Sequence, residues 1–145
     1  MDDTQELLTY LYQDSDMALN TLTLLINKIN KKDNKIKKTV EGLIKGYENY
    51  IVKIKTYMKE NNYEIKTKPL ISKMGAYMGI NMEVMKDNSD SRMADMLIQG
   101  LNMGVINTTK KIDMYKGDVP KELLGLAKEF KKFQEEGIDF LKKYL

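Results

Sequence analysis

Apolar residues recur at three- and four-residue steps along almost the whole chain, the spacing of one buried helix face. Between Thr4 and Lys31 one row holds Leu7, Leu11, Ala18, Leu22, Leu25 and Ile29, flanked by Leu8, Tyr12, Leu19 and Ile26. Acids (Asp2, Asp3, Glu6) open this segment and Lys28, Lys31 and Lys32 close it, matching the helix dipole. Asp33 reads as the N-cap of a second helix that runs to about Asn61. Its row is Ile36, Val40, Leu43, Tyr47, Tyr50 or Ile51, Ile54 and Tyr57. Ser89 or Asp90 reads as the cap of a third helix reaching about Tyr115, through Met93, Leu97, Leu101, Val105, Thr108 and Ile112. Gly117-Asp118 separates it from a last helix, with Pro120 in the first turn and Leu123, Ala127, Phe130, Phe133, Gly137, Leu141 and Tyr144 in its row. No segment alternates apolar and polar residues as a strand does.

Connection lengths turn four helices into an architecture. About two residues separate helices one and two, and a short turn joins three and four, so each pair forms an antiparallel hairpin. Roughly 28 residues join the second helix to the third. A helix of ~26 residues spans about 39 Å, and a link of that size can run back along it. Within the link, Pro69 suits a first helical turn before Leu70, Ile71, Met74, Tyr77 and Met78, although Gly75 and Gly79 weaken the helix. The pattern predicts an all-α, ferritin-like four-helix bundle: two antiparallel hairpins joined by a long crossover that carries one or two short helices.

Composition bounds the rest. A chain of 145 residues, 42% hydrophobic and 31% charged, fits one globular domain over residues 1–145. No apolar run approaches the ~18 residues of a membrane span, and the acidic start, Met1-Asp2-Asp3-Thr4, is unlike a secretory signal, so the cytoplasm is expected. There is no Cys and no His. Disulfides, thiol chemistry, Cys- or His-ligated zinc and a Ser–His–Asp triad are therefore excluded. The net charge is +3, and Arg92 is the lone arginine among 24 basic residues. Without the guanidinium forks that read bases and grip phosphates, nucleic-acid binding is not expected.

Ferritin-like bundles invite a search for two metals, held by carboxylates and by E-x-x-H pairs that share a helix face. Here the His positions are aliphatic: Glu41 precedes Ile44, Glu48 precedes Ile51 and Asp95 precedes Ile98. In the last helix only Glu136 and Asp139 pair carboxylates at that spacing, and Asp14 falls inside the first apolar row. An all-oxygen set of Asp14, Glu48, Asn102 and Glu136 would suit Mn or Mg. Seven of eleven Met lie between Met74 and Met103, and Met74, Met78, Met82 and Met85 share one helix face. Such a row packs irregular gaps, offers a partner surface, or, more remotely, binds Cu(I). Gly100 and Gly104, like Gly75 and Gly79, mark close approach of a neighbouring element. Lysines 31, 32, 35, 37 and 38 crowd the first hairpin tip, a solvated turn or a place for an anionic surface to dock.

The stretches Met74-Gly75-Ala76-Tyr77-Met78-Gly79-Ile80 and Ala94-Asp95-Met96-Leu97-Ile98-Gln99-Gly100-Leu101-Asn102-Met103-Gly104, and the C-terminal run from Phe133 to Leu145, resemble a family of small ferritin-like bundle proteins of uncharacterised function from low-GC anaerobic bacteria. The likeness spans nearly the whole chain and implies the fold. Functional ferritin-like relatives bind two metal ions and use oxygen or peroxide, and this sequence departs from them at every His position. The expectation is a non-catalytic protein without a cofactor, acting as a homo-oligomer or with a protein partner. The alternative is a metalloprotein whose His-free carboxylates hold Mn or Fe and handle oxygen or peroxide.

Overall fold

A computed structural model describes residues 2–64 and 88–145, and these are all-helical, without strands. The four helices are α1 (Asp3–Lys28), α2 (Lys37–Glu60), α3 (Asp90–Tyr115) and α4 (Lys121–Lys142). Pro69, Gly75, Gly79, the methionine row and the crossover expected between α2 and α3 lie outside the described residues.

The predicted rows form one core. Leu7, Leu11, Ala18, Leu22 and Leu25 of α1 meet Val40, Tyr47 and Ile54 of α2, Met93 and Leu97 of α3, and Leu123, Ala127, Phe130 and Leu141 of α4. Three positions differ. Phe133 and Tyr144 are half-buried and Gln134 takes a fully buried place on α4, while Gly104 is buried on α3 and Val105 half-buried.

Cross-helix bonds set the directions. Glu6 near the start of α1 meets Tyr115 at the end of α3, and Tyr10 meets Thr108, so α1 and α3 are antiparallel. Thr39 near the start of α2 meets Tyr144, and the Tyr50 hydroxyl reaches the Leu126 carbonyl, so α2 and α4 are antiparallel too. Each helix of a hairpin therefore also packs beside one helix of the other, in the circular order α1, α2, α4, α3. The helices α2 and α3 run parallel on opposite corners.

The first turn departs from the expected two-residue link. It spans 29–36, and α2 starts at Lys37 behind Ile36, which provides no side-chain cap. Ile29 and Ile36 are both fully buried, which draws the loop onto the core instead of letting Asp33 open the helix. The capping carboxylate comes from another helix. Asp90 accepts from the Lys35 and Ile36 backbone N–H groups at 3.1 and 3.4 Å and from Asn34 Nδ2 at 2.9 Å. Ser89 caps α3 itself through the Arg92 N–H, which leaves Asp90 free to serve α2. Pro120 occupies the cap position of α4 and not its first turn. The acidic opening of α1 behaves as the dipole argument requires, with Asp2 accepting from the Gln5 N–H at 2.6 Å.

Candidate functional site

The four oxygen-bearing residues singled out for a metal do not converge. Asp14 is buried, whereas Glu48, Asn102 and Glu136 are exposed. Glu48 and Glu136 each neighbour a buried residue, Tyr47 and Gly137, and one helical step of about 100° turns them outward. Among the described residues no three acidic side chains gather as a metal would require.

What surrounds Asp14 is a layer of hydrogen-bonded polar side chains in the middle of the bundle. Gln134 Nε2 donates to Asp14 Oδ2 at 3.2 Å, and Thr108 Oγ1 donates to Gln134 Oε1 at 3.1 Å. The Thr108 proton is thereby committed, so the Tyr10 hydroxyl, 2.9 Å away, is the donor to Thr108. The chain of donors runs from a half-buried tyrosine on α1, through α3 and α4, back to a buried carboxylate on α1. Burial and the nearby Asp14 charge push the Tyr10 and Tyr47 phenols above their ordinary range, so both stay protonated. Gln134 carries no signal as a residue type, yet its place three and four residues from Gly137 and Phe130 puts it on the buried row. Such a layer fixes register because any slip between helices breaks several buried bonds together.

Outside this layer a shallow polar cleft of about 380 Å³ lies between α1 and α3, lined by Glu6, Thr9, Tyr10, Gln13, Lys111 and Tyr115. The Tyr115 hydroxyl donates to Glu6, and that bond, with burial, pushes its phenol up to about 12. The Lys111 ammonium sits over both the Tyr10 and Tyr115 rings.

The lysine-rich tip is partly engaged: Lys32 reaches Asn88 Oδ1, just before α3, and Lys37 reaches the Asn30 carbonyl of the turn. Gly100 and Gly104 are buried. Of the methionines in the described residues, Met93 and Met96 are core while Met103 and Met114 stand 49% and 60% exposed.

The opposite side of the bundle has another character. Between α2 and α4 the rings of Tyr47, Tyr50, Phe130 and Phe133 pack together, Tyr50 stacked on Phe130 at 4.7 Å and Tyr47 edge-on to Phe133 at 4.8 Å. Gly46 makes room for Phe133, since a Cβ there would stand 2.3 Å from the ring. Above these rings runs an open groove. Its largest part, about 290 Å³, is lined by Thr39, Gly42, Leu43, Phe133, Gly137 and Phe140. It continues past Gly46, Asn49 and Lys53 to Val52, Thr56 and Leu126 at the far end. Phe140 and Val52, at either end, are 60% and 62% exposed. Leu126, Phe133 and Phe140 recur every seven residues, a second apolar row beside the core row of α4. Phe133, expected in the core row, is half-buried and belongs to this outer row, whose seven-residue repeat is visible in the sequence.

No helix among the described residues is long and apolar enough to cross a membrane. Compared with protein-family models, curated proteins and solved structures, the chain matches none.

Proposed function

We propose that this chain is a non-catalytic, cytoplasmic, ferritin-like bundle protein that acts through association, with itself or with a protein partner. The observation that carries the reading is the α2/α4 groove, where apolar side chains line an open channel and Phe140 and Val52 protrude at its ends. An exposed apolar groove rimmed by charge suits a contact between proteins. The interior supports the same reading. Its polar groups bond one another across three helices, a core-specifying role that needs no ligand. The up, down, down, up order of the helices is that of ferritin-like bundles. Sedimentation velocity at micromolar concentrations tests the reading. Species larger than the 16.8 kDa chain support it, and monomer alone removes self-association and leaves only a separate partner.

A His-free metal site for Mn or Fe is the second reading, favoured by one observation, the carboxylate of Asp14 inside the bundle. Elemental analysis after anaerobic loading with Mn(II) or Fe(II) tests it. About one or two ions per chain, lost in Asp14→Asn, are expected if it holds, and traces alone overturn it.

A further inference from the structure

We propose that the α2/α4 groove is the face of a two-fold homodimer in which α2 of each chain lies over α4 of the other. This rests on the association reading and names its partner as a second copy of the chain. Charge is divided across the groove. The α2 wall carries Lys38, Lys45 and Lys53, with Glu60 at its far end, while the α4 wall carries Glu122, Glu129 and Glu136, spaced seven apart. A partner of one uniform charge would meet repulsion on one wall or the other. A second copy turned about an axis parallel to the helices meets attraction on both, because its basic wall then covers the acidic one, and the reverse.

The register follows from contacts within one chain. Gly46 lies at the level of Phe133, Leu43 at that of Gly137, and Lys53 pairs with Glu129. A rotation about an axis parallel to the helices preserves these levels. Lys45 of the second copy then falls at the level of Glu136, one residue from Gly137, beside Phe140. Gly42 helps the approach, for nothing lies within 4 Å of a Cβ built there.

The size is adequate. The 24 residues of α2 give a face about 36 Å long, and two helices make it about 20 Å wide. Roughly 700 Å² per chain is close to the ~800 Å² that each partner buries in a stable interface. Of the other exposed large apolar residues, Leu24 stands on α1, Leu145 is the last residue, and Met103, Ile106 and Met114 sit on α3.

The test is sedimentation equilibrium on the full chain and on Lys45→Glu, Glu136→Lys, the two combined, and Ile106→Asp, each with its melting temperature recorded. The unmodified chain is expected to dimerise. Each single reversal should weaken the dimer by ~10-fold or more, the double should recover to within ~3-fold, and Ile106→Asp should change nothing. Single reversals without effect, or a double that fails to recover, overturn this face while leaving association standing. Dissociation by Ile106→Asp alone moves the contact to α3. A chain that stays monomeric up to ~100 µM overturns both the dimer and the self-association on which it rests.

Discussion

The two sides of the bundle are held by different physics. On the α1/α3 side, hydrogen bonds dominate: Tyr10 to Thr108, onward to Gln134 and Asp14, and Tyr115 to Glu6. On the α2/α4 side, rings do: Tyr47, Tyr50, Phe130 and Phe133 pack over Gly46. Hydrogen bonds are directional and fix which residue meets which, while ring packing tolerates small shifts and gives more burial per residue. The contrast separates two tasks. The polar side specifies the arrangement of helices, and the aromatic side supplies burial and, where it overflows the core, an outward apolar row.

Substitutions on the two sides should therefore differ in size and kind. The largest loss is expected at Phe130, fully buried against two tyrosine rings, where Phe130→Ala should cost about 3–5 kcal/mol by chemical denaturation. Gln134→Ala, on the polar side, removes the bonds of both Thr108 and Asp14 and should cost about 2–4 kcal/mol. Gln134→Leu, which fills the volume, should recover little of it if bonding and not packing is what Gln134 contributes.

Smaller effects probe the junctions between the sides. Gly46→Ala should destabilise by about 1–3 kcal/mol, because the new methyl must displace Phe133 from Tyr47. Gly125→Ala, with open space around it, should stabilise by up to ~1 kcal/mol through helix propensity. Asp90→Ala removes a cap delivered from α3 to α2 and should cost about 1–2 kcal/mol.

Alkaline pH bears on both sides through their phenols. Burial leads the rise for Tyr10, Tyr47 and Tyr50, and the bond to Glu6 leads it for Tyr115, which titrates at about 12. Above the ordinary phenol value near 10, the unfolded chain releases protons that the folded chain keeps. Stability is therefore full below pH ~10 and should fall steadily from there toward pH 12, read as a falling denaturation midpoint.

Much of this was legible in the sequence, and the reasons for the exceptions are physical. Helix rows announce themselves because burial repeats with the turn of the helix, so Leu7 to Leu25 and Leu123 to Leu141 were visible as core. The outward placement of Glu48 and Glu136 was equally implicit in their step from Tyr47 and Gly137. The first turn was not legible. Its backbone is held by Asp90, more than fifty residues away, and local cap rules had only Asp33 to offer. The role of Gln134 was half legible: its phase marks it as buried, but only the fold brings Thr108 and Asp14 to its two ends.

The central claim is that the aromatic side works outward as well as inward. Sedimentation equilibrium of Phe140→Asp beside the unmodified chain tests it most directly, since Phe140 is 60% exposed at the end of the groove and its loss should leave the core intact. The account predicts a dimer for the unmodified chain, a monomer for the variant, and melting temperatures for the two that agree within a few degrees at concentrations below dissociation. The same association state for both chains would contradict it.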